Sequence, residues 1–490
     1  MKKILPLIFC VCQLILSAQS YNQTLLFGTG EYDPNANWHG ILRMDNSQTY
    51  NSGTALTQYT PDGVVPIKSC YDSTVFLNFA HGMYYHNSAD RIYLSTLFTN
   101  QTNTLTTNTL TAVGSIAVFD NGSSMNGATS PTRHIFGSNT GLTQPHGCWL
   151  DESRDILYVA NTFGGNILVF DNASTIDGNV APNRTISYST MGKPVYIFCD
   201  EANDRIFVTC MNMGAPPGVL PKVVVYNNAS TLSGTSQTPS VTIQGSNTRL
   251  GFRNPTVHNC WYNSTNGILA VGHHTHELLM FDLNSLNLNP GTPSVNNLSP
   301  RVIKINEMVN DLDTINHNLY GFYWDLATDT MYVSDGWSGS APGMQGGPQP
   351  GTANKIRVFG NVSSAATSGI VAPARTICWS NSTSYWPPQP VWLKKISTSG
   401  INDVFNIHSD VFIFPNPATT ILTVSLSNLK GKKTECRIFD LSGKLLKSEI
   451  VIPEDEKQNI TLNISELADG VYFVKVKAEA GERTMKLLKY

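Results

Sequence analysis

Residues 144–174 read QPHGCWLDESRDILYVANTFGGNILVFDNAS. Three short apolar segments, CWL, ILYVAN and ILVFDN, alternate with polar turns rich in Asp, Ser, Asn and Gly. β-Branched and aromatic residues dominate the segments, which predicts three antiparallel strands joined by tight connections. His146 stands where the first strand begins. The stretch therefore raises the question of whether this histidine performs chemistry or only completes a turn.

Related stretches recur along the chain about every fifty residues, so the repeat is the primary feature of the sequence. Its third strand returns as IAVFDN (116–121), ILVFDN (167–172), VVVYNN (223–228), LLMFDL (278–283) and IRVFGN (356–361). A fourth strand follows as TRHIF, NRTI, SVTI, RVIKI and ARTI. Four short strands in each unit are typical of the blades of a β-propeller.

The innermost strands of the units predict six blades: AHGMYY (80–85), PHGCWL (145–150), PVYIFC (194–199), VHNCWY (257–262), YGFYWD (320–325) and PVWLKK (390–395). The last of these has no second strand after it, whereas the N-terminal end begins in the middle of a unit. We therefore expect residues 21–396 to close into a ring, with 390–395 completing a blade whose other three strands are N-terminal. Closure removes free sheet edges.

The two ends of the chain have different compositions from the repeats. MKKILPLIFCVCQLILSAQS (1–20) combines lysines, an apolar run and small residues, which indicates a secretory signal peptide. A linker follows the repeats at 397–409. Residues 410–490 are richer in charge and alternate between strands and Pro-Asn-Pro, Ser-Gly and Asp-Gly turns, which predicts a small Ig-like antiparallel β-sandwich. The fold class is therefore all-β.

Both regions resemble known families. Residues 22–396, with Y-V-A-N followed by V-F-D, resemble NHL and YncE-like propeller repeats, which indicates a fold but not a function. Residues 410–490 resemble the type A C-terminal sorting domain of the type IX secretion system of Bacteroidota. The motifs of that resemblance are PNP (415–417), DLSGK (440–444) and LADGVY (467–472). It implies handling by the secretion machinery and a secreted or outer-surface location.

Composition excludes several classes of function. The chain has 490 residues, of which 14% are charged, with a formal net charge of −3. No basic block indicates nucleic-acid binding. No apolar run after the signal peptide is long enough to predict a membrane span. No C-x-x-C pair, nucleophile elbow, H-E-x-x-H helix or P-loop stands in the mature chain.

Long connections and histidines are predicted on the same face of the ring. The loops between second and third strands are long, and we expect this long-loop face to carry the binding function. His81, His146 and His258 share one register at the entrances of inner strands, with Val195, Tyr320 and Val391 at the other three positions. Further candidates for the ligand-binding face are Trp38, His39, His273, His274, His276, His317, Tyr320, Asp335 and Trp337.

Three histidines in one register allow two interpretations. Converging neutral imidazoles are typical ligands of zinc or another divalent cation, with an open position for water or substrate. Three such residues resemble the channel site of peptidyl-hydroxyglycine amidating lyases, although here they fall on the first, second and fourth complete units. A single histidine before glycine at a strand entrance is more often a hydrogen-bonding turn residue, and this interpretation stays open beside the metal site.

The sequence therefore favours a secreted or surface-anchored propeller that binds a ligand or a protein partner through its long-loop face. The alternative is a metal-dependent lyase or hydrolase with His81, His146 and His258 in the channel. A structural or adhesive role at the cell surface is the third hypothesis. The identity of the ligand and the presence of catalysis stay open at the level of the sequence.

Overall fold

The computed structural model describes most of the repeats and of the C-terminal region. The described residues are 21–29, 40–45, 47–49, 63–66, 76–100, 114–125, 131–212, 217–251, 257–273, 277–304, 317–319, 321–337, 354–379, 388–397, 411–427, 429–441, 443–455, 457–478 and 481–490. The predicted signal peptide and nearly all of the predicted linker lie outside them. The chain divides into two compact units, one formed by Asn22–Ile396 and the other containing Ser397–Tyr490.

The strands of the first unit carry the repeat. In chain order they are β1 (Tyr21–Thr29), β2 (Gly40–Met44), β3 (Gly63–Pro66), β4 (Phe76–His86), β5 (Arg91–Asn100), β6 (Ser115–Asp120), β7 (Arg133–Ile135), β8 (Cys148–Asp151), β9 (Ile156–Asn161), β10 (Asn166–Asp171), β11 (Arg184–Ile186), β12 (Lys193–Asp200), β13 (Arg205–Met211), β14 (Lys222–Asn227), β15 (Val241–Ile243), β16 (Val257–Asn263), β17 (Ile268–His273), β18 (Glu277–Asp282), β19 (Ser294–Asn296), β20 (Arg301–Lys304), β21 (His317–Asn318), β22 (Phe322–Asp325), β23 (Thr330–Trp337), β24 (Asn354–Phe359), β25 (Gly369–Ile370), β26 (Arg375–Trp379) and β27 (Pro388–Ser397). Short 3-10 turns lie at Ser47–Thr49, Gly122–Ser124, Ser138–Thr140, Glu201–Asn203 and Ser246–Thr248.

These strands form six antiparallel sheets, which are the six blades of a propeller. From the inner strand outwards the blades are β27-β1-β2-β3 (blade 1), β4-β5-β6-β7 (blade 2), β8-β9-β10-β11 (blade 3), β12-β13-β14-β15 (blade 4), β16-β17-β18-β20 (blade 5) and β21/β22-β23-β24-β26 (blade 6). Blade 1 thus joins a strand near residue 390 to three N-terminal strands. The predicted all-β fold class is confirmed.

Neighbouring blades are linked at their outer rims by a repeated backbone contact. In blades 5 and 6 the segment before the last strand, β19 or β25, pairs in parallel with the outermost strand of the preceding blade. The same contact recurs as single bridges between Ile135 and Gly178 and between Ile186 and Gly234. These pairings satisfy backbone groups that an isolated four-stranded blade would leave open at its edge.

Arginine side chains strengthen the same seams. Each guanidinium donates to a backbone carbonyl of the next blade: Arg43 to Met125, Arg133 to Ala173, Arg184 to Ser230, Arg301 to Val362 and Arg375 to Ser47. The last contact joins blade 6 to blade 1 across the two ends of the repeat region. The ring is therefore closed by side chains as well as by the shared sheet.

The Asn-x-Ser triplets that end the third strands are turn structures. Asn121, Asn172, Asn228 and Asn361 all have positive φ, between 51° and 58°. The serine two positions later donates its backbone N–H and its hydroxyl to an aspartate in the hairpin of the same blade, as Ser174 does to Asp155 at 2.8 and 2.6 Å. Asn tolerates this left-handed conformation better than most residues do, which explains the recurring triplet.

At the axis, one aromatic side chain from each blade enters a closed cluster, which we name the aromatic plug. Its members, from blade 1 to blade 6, are Trp392, Tyr84, Trp149, Phe198, Trp261 and Tyr323. Rings of adjacent blades lie 4.8–5.6 Å apart between centroids, and Trp149, Trp261 and Trp392 also contact one another across the axis at 5.0–5.6 Å. The plug fills the centre of the ring with apolar surface.

The second unit is a seven-stranded β-sandwich. Its strands are β28 (Val411–Phe414), β29 (Ile421–Ser427), β30 (Thr434–Phe439), β31 (Leu445–Val451), β32 (Lys457–Asn463), β33 (Gly470–Ala478) and β34 (Gly481–Lys489). They form two sheets, β28-β29-β32 and β31-β30-β33-β34. Alternate residues of β30 and β33, such as Cys436, Ile438 and Val474, are buried between the sheets. This alternation is typical of strands with one face in a core.

Substitution of Trp149 by Ala tests how much the aromatic plug contributes to the stability of the propeller. Trp149 is buried and its ring contacts those of Tyr84, Phe198, Trp261 and Trp392. Loss of a buried tryptophan leaves a cavity, so we expect the free energy of unfolding of the propeller to fall by about 3–5 kcal/mol.

Urea denaturation of the mature chain measures this effect. Substitution of the exposed Phe163 by Ala is the matched control, and we expect it to change the unfolding free energy by less than about 1 kcal/mol. Equal effects of the two substitutions would show that the plug does not hold the ring together.

Candidate functional site

Two of the three histidines of the shared register lie at β-bulges, and the third, His146, lies two residues before β8. The pairing of β4 with β5 shifts register between Ala80 and Gly82, so His81 is the extra residue of a β-bulge. A similar shift between Val257 and Cys260 contains His258. Bulges bend a strand and redirect its side chains, and they are frequent beside functional sites. The bulges therefore direct the side chains of His81 and His258 away from the orientations that they would have in a regular strand.

Hydroxyl groups of the preceding blade fix the backbone of two of these entrances. Ser95 donates its hydroxyl to the carbonyl of His146, and Thr209 donates to the carbonyl of His258 at 2.6 Å. Both hydroxyls are buried and come from the second strand of the blade before. Because each carbonyl is held by a neighbouring blade, ring closure determines where these histidines stand.

Close backbone approach explains the glycine that follows the first two histidines. A Cβ atom at Gly82 would lie 2.2 Å from the carbonyl oxygen of His146. A Cβ atom at Gly147 would lie 2.6–2.8 Å from atoms of Tyr196. Only glycine allows the inner strands to pack at these distances. The glycine of each His-Gly pair is thus required by the packing at the axis.

The imidazoles converge across the axis. The ring centroids of His81 and His146 are 4.0 Å apart, and those of His81 and His258 are 6.0 Å apart. Blades 2 and 5 are opposite members of a six-membered ring, so the second distance spans the channel. The aromatic plug begins three residues further along each strand. The histidines therefore stand above a floor of aromatic rings, and we name this arrangement the imidazole cup.

Burial keeps His146 neutral. Its side chain is almost completely buried, which lowers its pKa from about 6.5 to about 4, while a hydrogen bond to the carbonyl of Gln144 opposes the shift. Nδ1 lies 3.2 Å from that carbonyl oxygen, which can only accept. Nδ1 therefore carries the proton and Nε2 carries a lone pair. Such a nitrogen can accept a hydrogen bond from a ligand or bind a metal ion.

The structure adds detail to two of the sequence-based assignments. His273 is fully buried, and its Nε2 lies 3.2 Å from the carbonyl oxygen of Leu250, so its place on the ligand-binding face stays a prediction. Val391 does not occupy the histidine register in blade 1. Trp392 is the plug residue of that strand, so the position three residues earlier is Gln389, and Val391 packs instead in the core between blades 6 and 1.

The other predicted residues of the long-loop face are not described at the level of their side chains. Trp38, His39, His274, His276 and Tyr320 lie outside the described residues. His317, Asp335 and Trp337 lie on β21 and β23, where the strand backbone alone is described, and His317 pairs with Trp337. Their role in binding stays a prediction.

Phe163 and Lys193 are rim residues that the sequence did not single out. Phe163 is 46% exposed, and its ring lies 6.3 Å from that of His146 at an angle of 29°. The ammonium group of Lys193 stands 5.5 Å above the Phe163 ring. Phe163 lies in the TFGG turn (162–165) between β9 and β10, and Lys193 is the first residue of the inner strand β12. A single phenylalanine in a glycine-rich turn matches no functional motif, so the sequence did not indicate that Phe163 lies beside His146.

The predicted metal site is not tested by this geometry. Within the part of the chain that the structure describes, no three His, Cys, Asp or Glu side chains stand in metal-ligand geometry. The tautomer of His146 nevertheless fits a metal ligand, because the hydrogen bond at Nδ1 leaves Nε2 with its lone pair. Cys148 and Cys260, one residue before plug tryptophans, are buried free thiols whose pKa values burial raises.

The architecture defines a class, a six-bladed propeller joined to a small β-sandwich, and the sandwich identifies the export route. Residues 412–490 match the family described as the secretion system C-terminal sorting domain. This region is a sorting domain of the type IX secretion system, and the protein is secreted or displayed at the cell surface. Among the described residues, no helix has the length and apolarity needed to cross a membrane.

Solved structures similar to the chain are distant from it. The periplasmic gluconolactonase PpgL of Pseudomonas aeruginosa is 12% identical, with 90% of this chain and 99% of that chain covered and a TM-score of 0.41. A chain of the nidogen/laminin complex is 11% identical, with coverages of 76% and 98% and a TM-score of 0.40. The Cps50 (Swd1) β-propeller domain of Myceliophteria thermophila is 9% identical, with coverages of 84% and 96% and a TM-score of 0.33. Among curated protein sequences, none matches the chain.

The buried neutral state of His146 predicts a loss of stability in acid. Between pH 6.5 and about 4 the unfolded chain binds a proton at this imidazole and the folded chain does not. The unfolding free energy therefore falls as the pH falls, by about 2–3 kcal/mol from this residue at pH 4.5. Above about pH 6.5 the imidazole is neutral in both the folded and the unfolded chain, so His146 causes no loss of unfolding free energy there.

Comparison with His146→Val isolates that contribution, because Val195 occupies the same register in blade 4 and other titrating groups are common to both proteins. Urea denaturation at pH 7.5 and pH 4.5 measures the difference. We expect the variant to lose less stability in acid than the natural chain does. An equal loss in the two proteins would mean that His146 is protonated in the folded state.

Proposed function

We propose that the propeller is a binding module which takes a ligand into the imidazole cup from the long-loop face. The observation that carries this proposal is the convergence of His81, His146 and His258 above the aromatic plug. The plug blocks the channel from below, so a ligand that reaches the imidazoles enters from the side of the long connections. The sorting domain supports a role outside the cell.

The chemistry of the cup supports recognition of a polar group. His146 offers a neutral nitrogen with a lone pair, and the surrounding aromatic rings supply apolar contact area. Binding sites commonly combine apolar walls with a few fixed polar groups that orient the ligand. The bulges and the hydroxyl contacts hold the imidazole backbones before any ligand arrives, which reduces the ordering cost of binding.

Metal-dependent lyase or hydrolase activity is the second candidate. The short distances between the three rings favour it, since a tetrahedral site needs three protein ligands and an open position. His81, His146 and His258 would hold zinc or a similar divalent cation after rotation of their rings. A bound cation would supply Lewis acidity at the open position.

A panel of ligand classes tests the binding proposal. The mature chain is screened by thermal denaturation against sugars, sugar acids, aromatic acids and short peptides. A ligand present at about 100 times its Kd stabilises the folded state by about 2.7 kcal/mol. We expect at least one class to raise Tm, and we expect His81→Val and His258→Val to abolish that increase.

His86→Val is the matched control, because His86 is the last residue of the same strand, beyond the plug residue Tyr84, and lies beside Glu152. It should keep the ligand effect. A ligand that stabilises all variants equally would place binding outside the cup. No increase with any class would contradict the proposal and favour a structural or adhesive role at the cell surface.

Elemental analysis decides between the two candidates. Under the enzyme hypothesis, protein purified without an affinity tag holds about one divalent ion per chain, and His146→Ala loses it. Absence of bound metal in the natural protein, also after incubation with zinc and dialysis, would remove this candidate. The binding proposal does not depend on that result.

A further inference from the structure

Flat rings form a row across the mouth of the imidazole cup. His258, His81, His146 and Phe163 follow one another with centroid distances of 6.0, 4.0 and 6.3 Å. The row begins at the axis and ends on the exposed rim of blade 3. Two of its three steps join rings inclined by less than 30° to each other. Of the four rings, Phe163 is the most exposed, at 46%, whereas His146 and His258 are buried, so a ligand that approaches the row meets the Phe163 ring first.

The turn that carries Phe163 is rigidly held. The hydroxyl of Thr162 donates to the carbonyl of Pro194 at 2.7 Å, and the Phe163 N–H donates to the carbonyl of Thr143 at 3.2 Å. Gly165 closes the turn with φ of 69° and an N–H bonded to the carbonyl of Asn161 at 2.9 Å. The backbone that carries the half-exposed Phe163 ring is thus held in place. Such a ring offers stacking area at little entropic cost.

Lys193 places a positive charge at the outer end of the row. Its Nζ lies above the Phe163 ring and 3.4 Å from the Phe163 carbonyl oxygen, which is a weak contact. Within the described ranges, no carboxylate forms an ion pair with this ammonium group. Arg249, by contrast, forms a bidentate ion pair with the buried Glu277 on the same face. Lys193 is therefore suited to meet an anionic group of a ligand.

We infer that the ligand of the imidazole cup is a small molecule with a planar, unsaturated part and an anionic substituent, such as an aromatic carboxylate. Phe163 stacks on the planar part, and Lys193 pairs with the anion. The inference rests on the proposed binding function and specifies its ligand class. It needs no metal ion and no covalent step.

Three probes of similar size separate the two contributions: benzoate, benzamide and cyclohexanecarboxylate. Benzamide keeps the planar ring and lacks the charge, and cyclohexanecarboxylate keeps the charge and lacks the planar ring. Affinities are measured with the mature protein by isothermal titration calorimetry at low salt. We expect benzamide to bind about tenfold more weakly than benzoate, and cyclohexanecarboxylate roughly two- to tenfold more weakly.

Two variants assign these differences to residues. Lys193→Met should reduce benzoate binding about tenfold and leave benzamide unchanged, which removes the preference for the anion. Phe163→Leu should remove the preference for the planar ring and retain the preference for charge. Lys477→Met, at an exposed position of the sandwich, is the control and should bind all probes as the natural chain does.

Absence of saturable benzoate binding, or equal affinity for benzoate and benzamide in both the natural chain and Lys193→Met, would overturn the inference. A ligand from the broader panel that requires His81 but is insensitive to Phe163→Leu and Lys193→Met would also overturn it, while the binding proposal would stand. Benzoate binding that His81→Val leaves unchanged would place the site outside the cup and contradict both.

Discussion

Contact among six aromatic rings at the axis is the interaction on which the rest of the propeller depends. Each blade alone is a short twisted sheet with two open edges and a small core. The plug gives every blade a shared apolar centre, and Trp392 joins the C-terminal strand of the ring to it. The indole N–H of Trp392 also donates to the carbonyl of Met83 in blade 2. The first and last parts of the repeat region are thus held where they meet.

The same closure explains the geometry above the plug. The hydroxyls of Ser95 and Thr209 reach carbonyls in the following blade, and the glycine after His81 is required by close contact with that blade. A histidine at the entrance of an isolated blade would lack these contacts and its burial. The neutral, oriented imidazole of His146 is therefore a property of the assembled ring.

Much of the propeller could be predicted from the sequence, because the strand pattern of the blades repeats along the chain. The strand signatures predicted the blades, and the incomplete units at the two ends predicted how blade 1 is composed. The common register of His81, His146 and His258 predicted their convergence. The PNP, DLSGK and LADGVY motifs predicted the sorting domain, which the family match confirms.

Other features depend on contacts that spacing does not encode. The plug mixes Trp, Tyr and Phe, so its members share a position but no single residue type. In blade 1 a two-residue misalignment of the strand led to Val391 in place of Gln389. The burial of His273 beside the carbonyl oxygen of Leu250 is likewise not evident from its spacing in the sequence. Phe163 was not a candidate from the sequence, and only its distance to His146 indicates a role. The resemblance of residues 22–396 to NHL repeats stays a prediction.

The most direct test of the closed ring is a double-mutant cycle between Trp149 and Trp392, which lie on blades 3 and 1 and meet only at the axis. With leucine substitutions and urea denaturation, ring closure predicts a coupling free energy of about 1 kcal/mol or more, whereas strictly additive losses would contradict it.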